Sequence, residues 1–277
     1  MQALRPELDI TAFFEHLRRA SSSALLLDYD GTLAPFRVDR DQARPYVGVK
    51  ERLAALCRDP AANHRVIIIS GRPCADIVQL LGSDLTIEMW GEHGCERRLR
   101  DGSITRNQIS AEAKTALEQA ADRANKAGWI HSCEIKTSSI ALHWRGMAHD
   151  QMENLRLNAV DLWQPLTHHT SLMLRPFDGG IELRWGWVNK GDAVQAVIDE
   201  SPFDSILAYA GDDTTDEDAF AVLDRKGLRI LVRAELRDTI ADLWLQPPHE
   251  LLSFLDQWSA CTSAKENSQT RRLSQCG

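Results

Sequence analysis

Three apolar runs in this chain each end on a polar group suited to chemistry, and that repetition restricts the fold more than any other feature. Ala24-Leu25-Leu26-Leu27 leads into Asp28-Tyr29-Asp30-Gly31-Thr32-Leu33. Val66-Ile67-Ile68-Ile69 leads into Ser70-Gly71-Arg72-Pro73, and Ser205-Ile206-Leu207-Ala208-Tyr209-Ala210 into Gly211-Asp212-Asp213. Short unbroken apolar runs read as strands of a parallel sheet buried on both faces. Open α/β sheets bind ligands in the crevice outside the carboxyl ends of their strands, so the three endings are expected to share one site.

The intervening chain fits such a sheet. Residues 8 to 20 read as an amphipathic helix, Pro35 to Pro45 as a loop rich in Pro and Asp, and Val49 to Arg58 as a helix. A further helix restarts near Pro73, and a strand near Leu85 to Trp90 leads to Gly91-Glu92-His93-Gly94. Between about 98 and 183 the pattern changes. Helical stretches at Ser110–Ala127 and His149–Trp163 frame an alternating segment, Ser139 to Arg145. Its Ile140, Leu142 and Trp144 share one face, and His143 and Arg145 share the other. A second alternation, Ile181 to Trp185, sets Glu182 and Arg184 on its polar face. The expected organisation is an α/β core over 1–97 and 184–260, with a small α+β domain inserted at 98–183. The polar tail, 261–277, is expected to be disordered.

Composition excludes several classes. A net charge of -8 over 277 residues disfavours nonspecific nucleic-acid binding. No apolar run approaches the roughly 20 residues of a membrane helix. The first residues carry Glu7, Asp9 and Glu15, unlike a signal peptide. Six cysteines without a CxxC pair argue against a zinc site or disulfide framework, and point to free thiols in the cytoplasm. Nothing in the sequence sets the oligomeric state.

Two carboxylates as close as Asp28 and Asp30 repel unless a cation or a shared proton compensates them. One can then act as a nucleophile toward phosphorus and the other as its proton shuttle. Phosphoryl transfer asks mainly for positioning and charge neutralisation. A hard cation such as Mg2+ suits Asp28, the backbone carbonyl of Asp30, and Asp212. Asp213 and Asp216 would orient bound water or partner a lysine, or serve only as helix-capping acids. Ser70, with the amides near Gly71, can hold a phosphate oxygen at a helix start or simply cap that helix. Lys190, at the entry of a helix, would add positive charge.

These pieces, in this order, resemble the four motifs of the haloacid dehalogenase (HAD) superfamily of phosphatases: Asp28-x-Asp30-Gly31-Thr32, Ser70, Lys190 and Gly211-Asp212-Asp213-x-x-Asp216. The resemblance implies a Rossmannoid parallel-sheet core with an inserted cap, and a phosphate held by Thr32, Ser70, Gly71 and Lys190. Within the superfamily the chain is similar to trehalose-6-phosphate phosphatases. That likeness runs through Ile69-Ser70-Gly71-Arg72, Gly91-Glu92-His93-Gly94, Lys136, Ser139 to Arg145, Glu182-Leu183-Arg184 and Asn189-Lys190-Gly191. It implies hydrolysis of trehalose 6-phosphate through an aspartyl-phosphate on Asp28, with Asp30 as acid and base and Mg2+ as cofactor. It also implies sugar recognition from the cap by Lys136, His143, Arg145 and Glu182, with Arg72 and His93 contributing from the core. Each of these has an alternative as a surface or structural polar group. Other sugar phosphates, such as sucrose 6-phosphate, and a non-catalytic sugar-phosphate sensor are the competing functions.

Overall fold

In the computed structural model, which describes residues 1–58, 63–82, 84–168 and 170–263, the apolar runs lie side by side in a nine-stranded sheet. Its order from one edge is Gln2–Ala3, Leu243–Leu245, Leu228–Val232, Ile206–Gly211, Ser23–Leu27, His64–Ile69, Glu88–Gly91, Glu96–Arg98 and Ile104–Arg106. Pairing is parallel from Leu243–Leu245 across to Glu88–Gly91, and both edges finish in antiparallel strands. Every residue of Ser23–Leu27 is buried, as a strand between two helical layers must be. Successive side chains serve opposite faces. Leu25 and Leu27 pack with Leu17, Phe254 and Trp258, whereas Ala24 and Leu26 pack with Val194, Val197 and Phe220.

Register then does the functional positioning. Leu27 pairs with Ile68 on one side and Ala210 on the other, so the residues after each strand emerge at one edge. The strand expected from Leu85 is observed as Glu88–Gly91, and Ile10–Arg19 is a helix capped by Asp9, which accepts from Ala12 N–H at 3.0 Å.

The inserted segment builds a second sheet of four antiparallel strands, in the order Cys133–Ile135, Ser139–His143, Gly180–Trp185, Leu172–Phe177. Helices Ala111–Lys126 and His149–Trp163 cover one face, burying Ile140, Leu142, Leu183, Ala120 and Trp163 in a separate core. The Trp163 indole N–H donates to the Ala120 carbonyl at 3.2 Å, satisfying its polar end. The other face turns Glu134, His143 and Glu182 toward the larger sheet. Strand pairing carries the larger sheet to Arg106 and the smaller to Trp185, past the limits drawn at 97 and 183.

One expectation is corrected. Disorder from residue 261 is not what is found: the helix His249–Ser263 runs through it, and Cys261 is buried. Leu251, Phe254, Leu255, Trp258 and Cys261 continue one apolar stripe at helical spacing, and Phe14 receives the last of them. Residues 264–277 lie outside the described residues.

Trp163→Ala should destabilise the chain by about 3–5 kcal/mol, because a fully buried aromatic is removed from the small core. Urea unfolding of the two proteins checks this, and matching midpoints would count against the packing described.

Candidate active site

Lys190 opens the helix Lys190–Glu200, whose start is fixed by a capping box between Asn189 and Asp192. Its buried ammonium donates to Asp28 Oδ1 at 2.8 Å and to Asp216 Oδ1 at 2.6 Å. Asp216 is saturated: Oδ1 also accepts from the Tyr209 hydroxyl, and Oδ2 accepts from the backbone N–H of Asp212 at 3.0 Å and Asp213 at 2.9 Å. Asp216 therefore holds both the lysine and the Asp212-Asp213 turn. Two glycines make room for these acids. A Cβ at Gly31, whose φ is +80°, would collide with the Asp212 carboxylate, and one at Gly211 with that of Asp216.

Asp28, Asp212 and Asp216 are buried and each offers an oxygen within 4.8 Å of the others. Burial pushes Asp28 up to about 7 against the pull of Lys190, and pushes Asp212 well above the usual carboxylate range. Burial alone would lower Lys190, but Asp216 and Asp28 carry it above its ordinary value. One ammonium thus faces a surplus of carboxylate. Asp212 Oδ2 is buried without a hydrogen-bond partner among the described residues, its nearest cation being Arg233 Nη1 at 3.6 Å. An all-oxygen donor set with excess negative charge and an orphaned oxygen fits a hard divalent cation. Arg237 braces the turn from below, donating to the carbonyls of Asp212 at 3.0 Å and Asp213 at 2.7 Å.

Asp30 lies beside this cluster in a bidentate pair with Arg72, at 2.6 Å from Nε and 2.7 Å from Nη2. Nη2 of Arg72 also donates to the Arg40 carbonyl, and its Nη1 is buried with no partner among the described residues. Ser70 Oγ accepts from Arg72 N–H at 3.2 Å and does not cap the following helix, which begins at Cys74 after Pro73. Thr32 is buried, with Oγ1 unpartnered among the described residues. Asp213 caps the short turn Thr214–Asp216, and its Oδ2 accepts from Asp178 N–H of the smaller sheet at 3.1 Å.

A cavity of about 450 Å³ separates the two sheets, with Asp28, Asp30, Ser70 and Lys190 on one wall and Lys136, His143 and Glu182 on the other. Glu182 is the hub of the second wall. It accepts from Lys136 at 2.8 Å and Ser139 at 2.7 Å, and His93 Nε2 lies 3.0 Å away. Lys136 also donates to the Gly71 carbonyl at 2.9 Å, tying this wall to the loop that follows His64–Ile69. His143 pairs with Glu134 at 3.1 Å. Arg145 sits at the rim with its guanidinium 4.0 Å from the Phe36 ring centroid, and it donates to the Asp178 carbonyl.

Sequence reading missed Glu134 and Glu92. Burial alone would raise Glu134, but Lys136, His143 and Arg40 hold it down to about 2. Its strand, Cys133–Ile135, ends before Lys136 and is too short to show an alternation, so the sequence offered no signal for it. Glu92 and His93 both adopt left-handed backbone, φ 48° and 59°. Their turn is locked by the Glu92 carboxylate, which accepts from Ser138 N–H at 2.9 Å and from the Ser138 hydroxyl.

Comparison with known proteins gives the chain's family and fold relatives. The trehalose-phosphatase family model matches residues 26–246. A trehalose-phosphate phosphatase of Mycobacterium marinum is 32% identical over 247 residues, covering 83% of this chain but 60% of that protein. This chain therefore spans about three-fifths of that relative. The solved C-terminal domain of C. albicans trehalose-6-phosphate phosphatase superposes with a TM-score of 0.75 at 21% identity, covering 94% of this chain and 99% of that one. A haloacid dehalogenase-like hydrolase from B. subtilis gives 0.56 at 14% identity, over 84% and 99%. Both structures share the α/β fold with this chain.

His93 supplies a pH test. Burial pushes it down to about 4 from 6.5, against the pull of Glu182. Its folded pKa lies below the unfolded one, so the unfolded chain takes up the proton first as pH falls. Stability from this site is complete above 6.5 and is lost as pH drops toward 4. Asp28, raised to about 7, favours the folded form as pH falls and works against this loss, and Glu134 adds its own loss only from 4.5 downward. His93→Asn should therefore leave Tm higher relative to the parent at pH 4 than at pH 6.5. Equal declines in both proteins would show that His93 is not the group responsible.

Proposed function

Because the chain belongs to the trehalose-phosphatase family, we propose that it hydrolyses trehalose 6-phosphate to trehalose and inorganic phosphate in the cytoplasm. The observation that carries this reading is the Lys190 ammonium bridging Asp28 and Asp216 at the floor of a cavity whose opposite wall presents Lys136 and Glu182. Lys190 fixes the rotation of the Asp28 carboxylate by holding Oδ1. An Asp28 oxygen attacks phosphorus, the bond from phosphorus to the sugar oxygen breaks, and Asp30 gives that oxygen a proton. Water then attacks the aspartyl-phosphate, Asp30 takes a proton from that water, and the bond from phosphorus to Asp28 breaks to release phosphate. Asp28, the Asp30 carbonyl and Asp212 would hold Mg2+, which when bound supplies the positive charge a phosphate dianion needs beside these carboxylates. Ser70, Gly71, Thr32 and Lys190 surround the phosphate in this reading, and Asp213 and Asp216 support the turn.

Both oxygens of Asp30 are engaged by Arg72, so proton donation requires the entering sugar phosphate to draw Arg72 off one of them. Lys136, His143 and Glu182 are the sugar-facing groups, with Glu134 added to them. Arg145 and His93 contribute by holding the cavity walls, since their bonds already run to Asp178 and Glu182. Polar pairs that discriminate hydroxyl patterns suit a glycosyl phosphate better than an apolar ester.

Phosphate release from trehalose 6-phosphate should require added Mg2+ and exceed that from sucrose 6-phosphate and glucose 6-phosphate. Asp28→Asn should release none above background, and Asp30→Asn should turn over about 10²–10⁴ times more slowly. Turnover surviving in Asp28→Asn overturns the mechanism. A panel in which trehalose 6-phosphate ranks low overturns the substrate.

A further inference from the structure

The hairpin turn between Leu172–Phe177 and Gly180–Trp185 reaches across the cleft to the acid cluster, and the two share one cation. Asp178, in that turn, is held through three of its atoms. Its N–H donates to Asp213 Oδ2 at 3.1 Å, its carbonyl accepts from Arg145, and its Oδ2 accepts from Arg233 Nη2 at 2.9 Å. Arg233 follows the strand Leu228–Val232 and has a fixed backbone. Its N–H donates to the Leu245 carbonyl at 3.0 Å and its own carbonyl accepts from the Trp244 indole at 2.8 Å. Its other terminal nitrogen, Nη1, stands 3.6 Å from Asp212 Oδ2, the buried oxygen that lacks a hydrogen bond among the described residues. One guanidinium is thus divided between a cap carboxylate and a core carboxylate, with the shorter contact to the cap.

From this division we infer that Asp178 and Arg233 couple the seating of the cap to the cation affinity of Asp212. The inference rests on the cation-dependent reading above. Arg233 acts through Asp212 and is a positioning residue. With the cap seated, Asp178 draws the guanidinium toward itself and leaves the Asp212 oxygen open to a divalent ion. With the cap swung away, Asp178 leaves with it and Arg233 is left to the core acids Asp212 and Asp213. A guanidinium hydrogen-bonded to a buried carboxylate competes directly with a metal for the same lone pairs. The planar fork matters, because one nitrogen can hold each acid while the charge is shared. Coupling of this kind is reciprocal: an ion that binds better to the seated form also favours seating.

A double-mutant cycle on the full chain tests this, reading Mn2+ affinity by electron paramagnetic resonance titration without substrate. Asp178→Asn keeps the size, the N–H and the carbonyl that dock the turn, and removes the charge that neutralises Arg233. It should weaken Mn2+ binding about fivefold or more, the lower end of usual coupling between sites. Arg233→Gln should bind Mn2+ at least as tightly as the parent, and adding Asp178→Asn to it should change nothing further. An equal loss from Asp178→Asn in both backgrounds would mean simple charge removal, and no loss in the parent would mean docking alone. Either overturns the coupling while leaving the phosphatase reading in place. No Mn2+ binding by the parent chain would overturn both.

Discussion

The ammonium of Lys190 is the interaction on which the rest of the site depends. Carboxylates taken out of water are costly to keep charged, and three of them crowd this sheet edge. Lys190 meets two of them at hydrogen-bonding distance. It joins the end of Ser23–Leu27, the start of the helix Lys190–Glu200 and the turn after Ile206–Gly211, segments brought together only by parallel pairing. The lysine itself is placed by a capping box and by Gly191, where a Cβ would lie 2.6 Å from the Asp218 carbonyl. Local helix-start chemistry thus sets the position of a charge that a distant strand requires.

The seam between the two sheets is built differently from their interiors. Each has its own apolar core, and the contacts that cross the seam are polar: Lys136 to the Gly71 carbonyl, Glu92 to Ser138, Arg40 to Glu134, and Arg145 over Phe36. Such contacts can be exchanged one by one for water, at a net of about 1.5–3 kcal/mol for each hydrogen bond to a charged group, whereas separating an apolar core exposes all of its surface at once. A seam of this kind suits two bodies that part to admit a ligand and meet again around it.

The strand-end motifs were legible in the amino-acid sequence because their causes are local. An unbroken apolar run followed by glycine and acid has few places to go in an α/β fold, and Gly31 and Gly211 are glycines because a neighbour's carboxylate fills the space a Cβ would need. Alternation likewise separated Ile140 and Leu142 from His143, and Leu183 from Glu182. It could not say what the polar faces would meet. Glu182 read as a sugar ligand or a surface ion pair and Arg184 only as its neighbour on the polar face. Both are buried, and Glu182 lines the cavity. Glu134 escaped because Cys133–Ile135 is too short for a period of two to register. Arg40, Arg72, Arg233 and Arg237 escaped as partners because a long side chain on a loop carries no periodicity, and its acid lies far away in the chain. Asp30 with Arg72, and Asp212 with Arg233, are products of tertiary structure alone.

Those arginines change how binding has to work. Lys136 is engaged by Glu182, Lys190 by Asp28 and Asp216, Arg72 by Asp30, and Arg145 by Asp178. Each of these cations facing the cavity is already paired, so apart from Arg72 Nη1 and the third hydrogen of Lys190 an entering phosphate dianion gains from them by exchanging partners. Exchange conserves much of the electrostatic energy and leaves specificity to geometry, since a ligand that displaces a carboxylate without matching its hydrogen bonds leaves buried charge unpaired. Lys190 alone cannot pair every carboxylate at Asp28, Asp212 and Asp216, and burial pushes Asp28 and Asp212 toward the protonated form. A proton therefore compensates the cluster where no cation does, and a divalent ion that binds there displaces it.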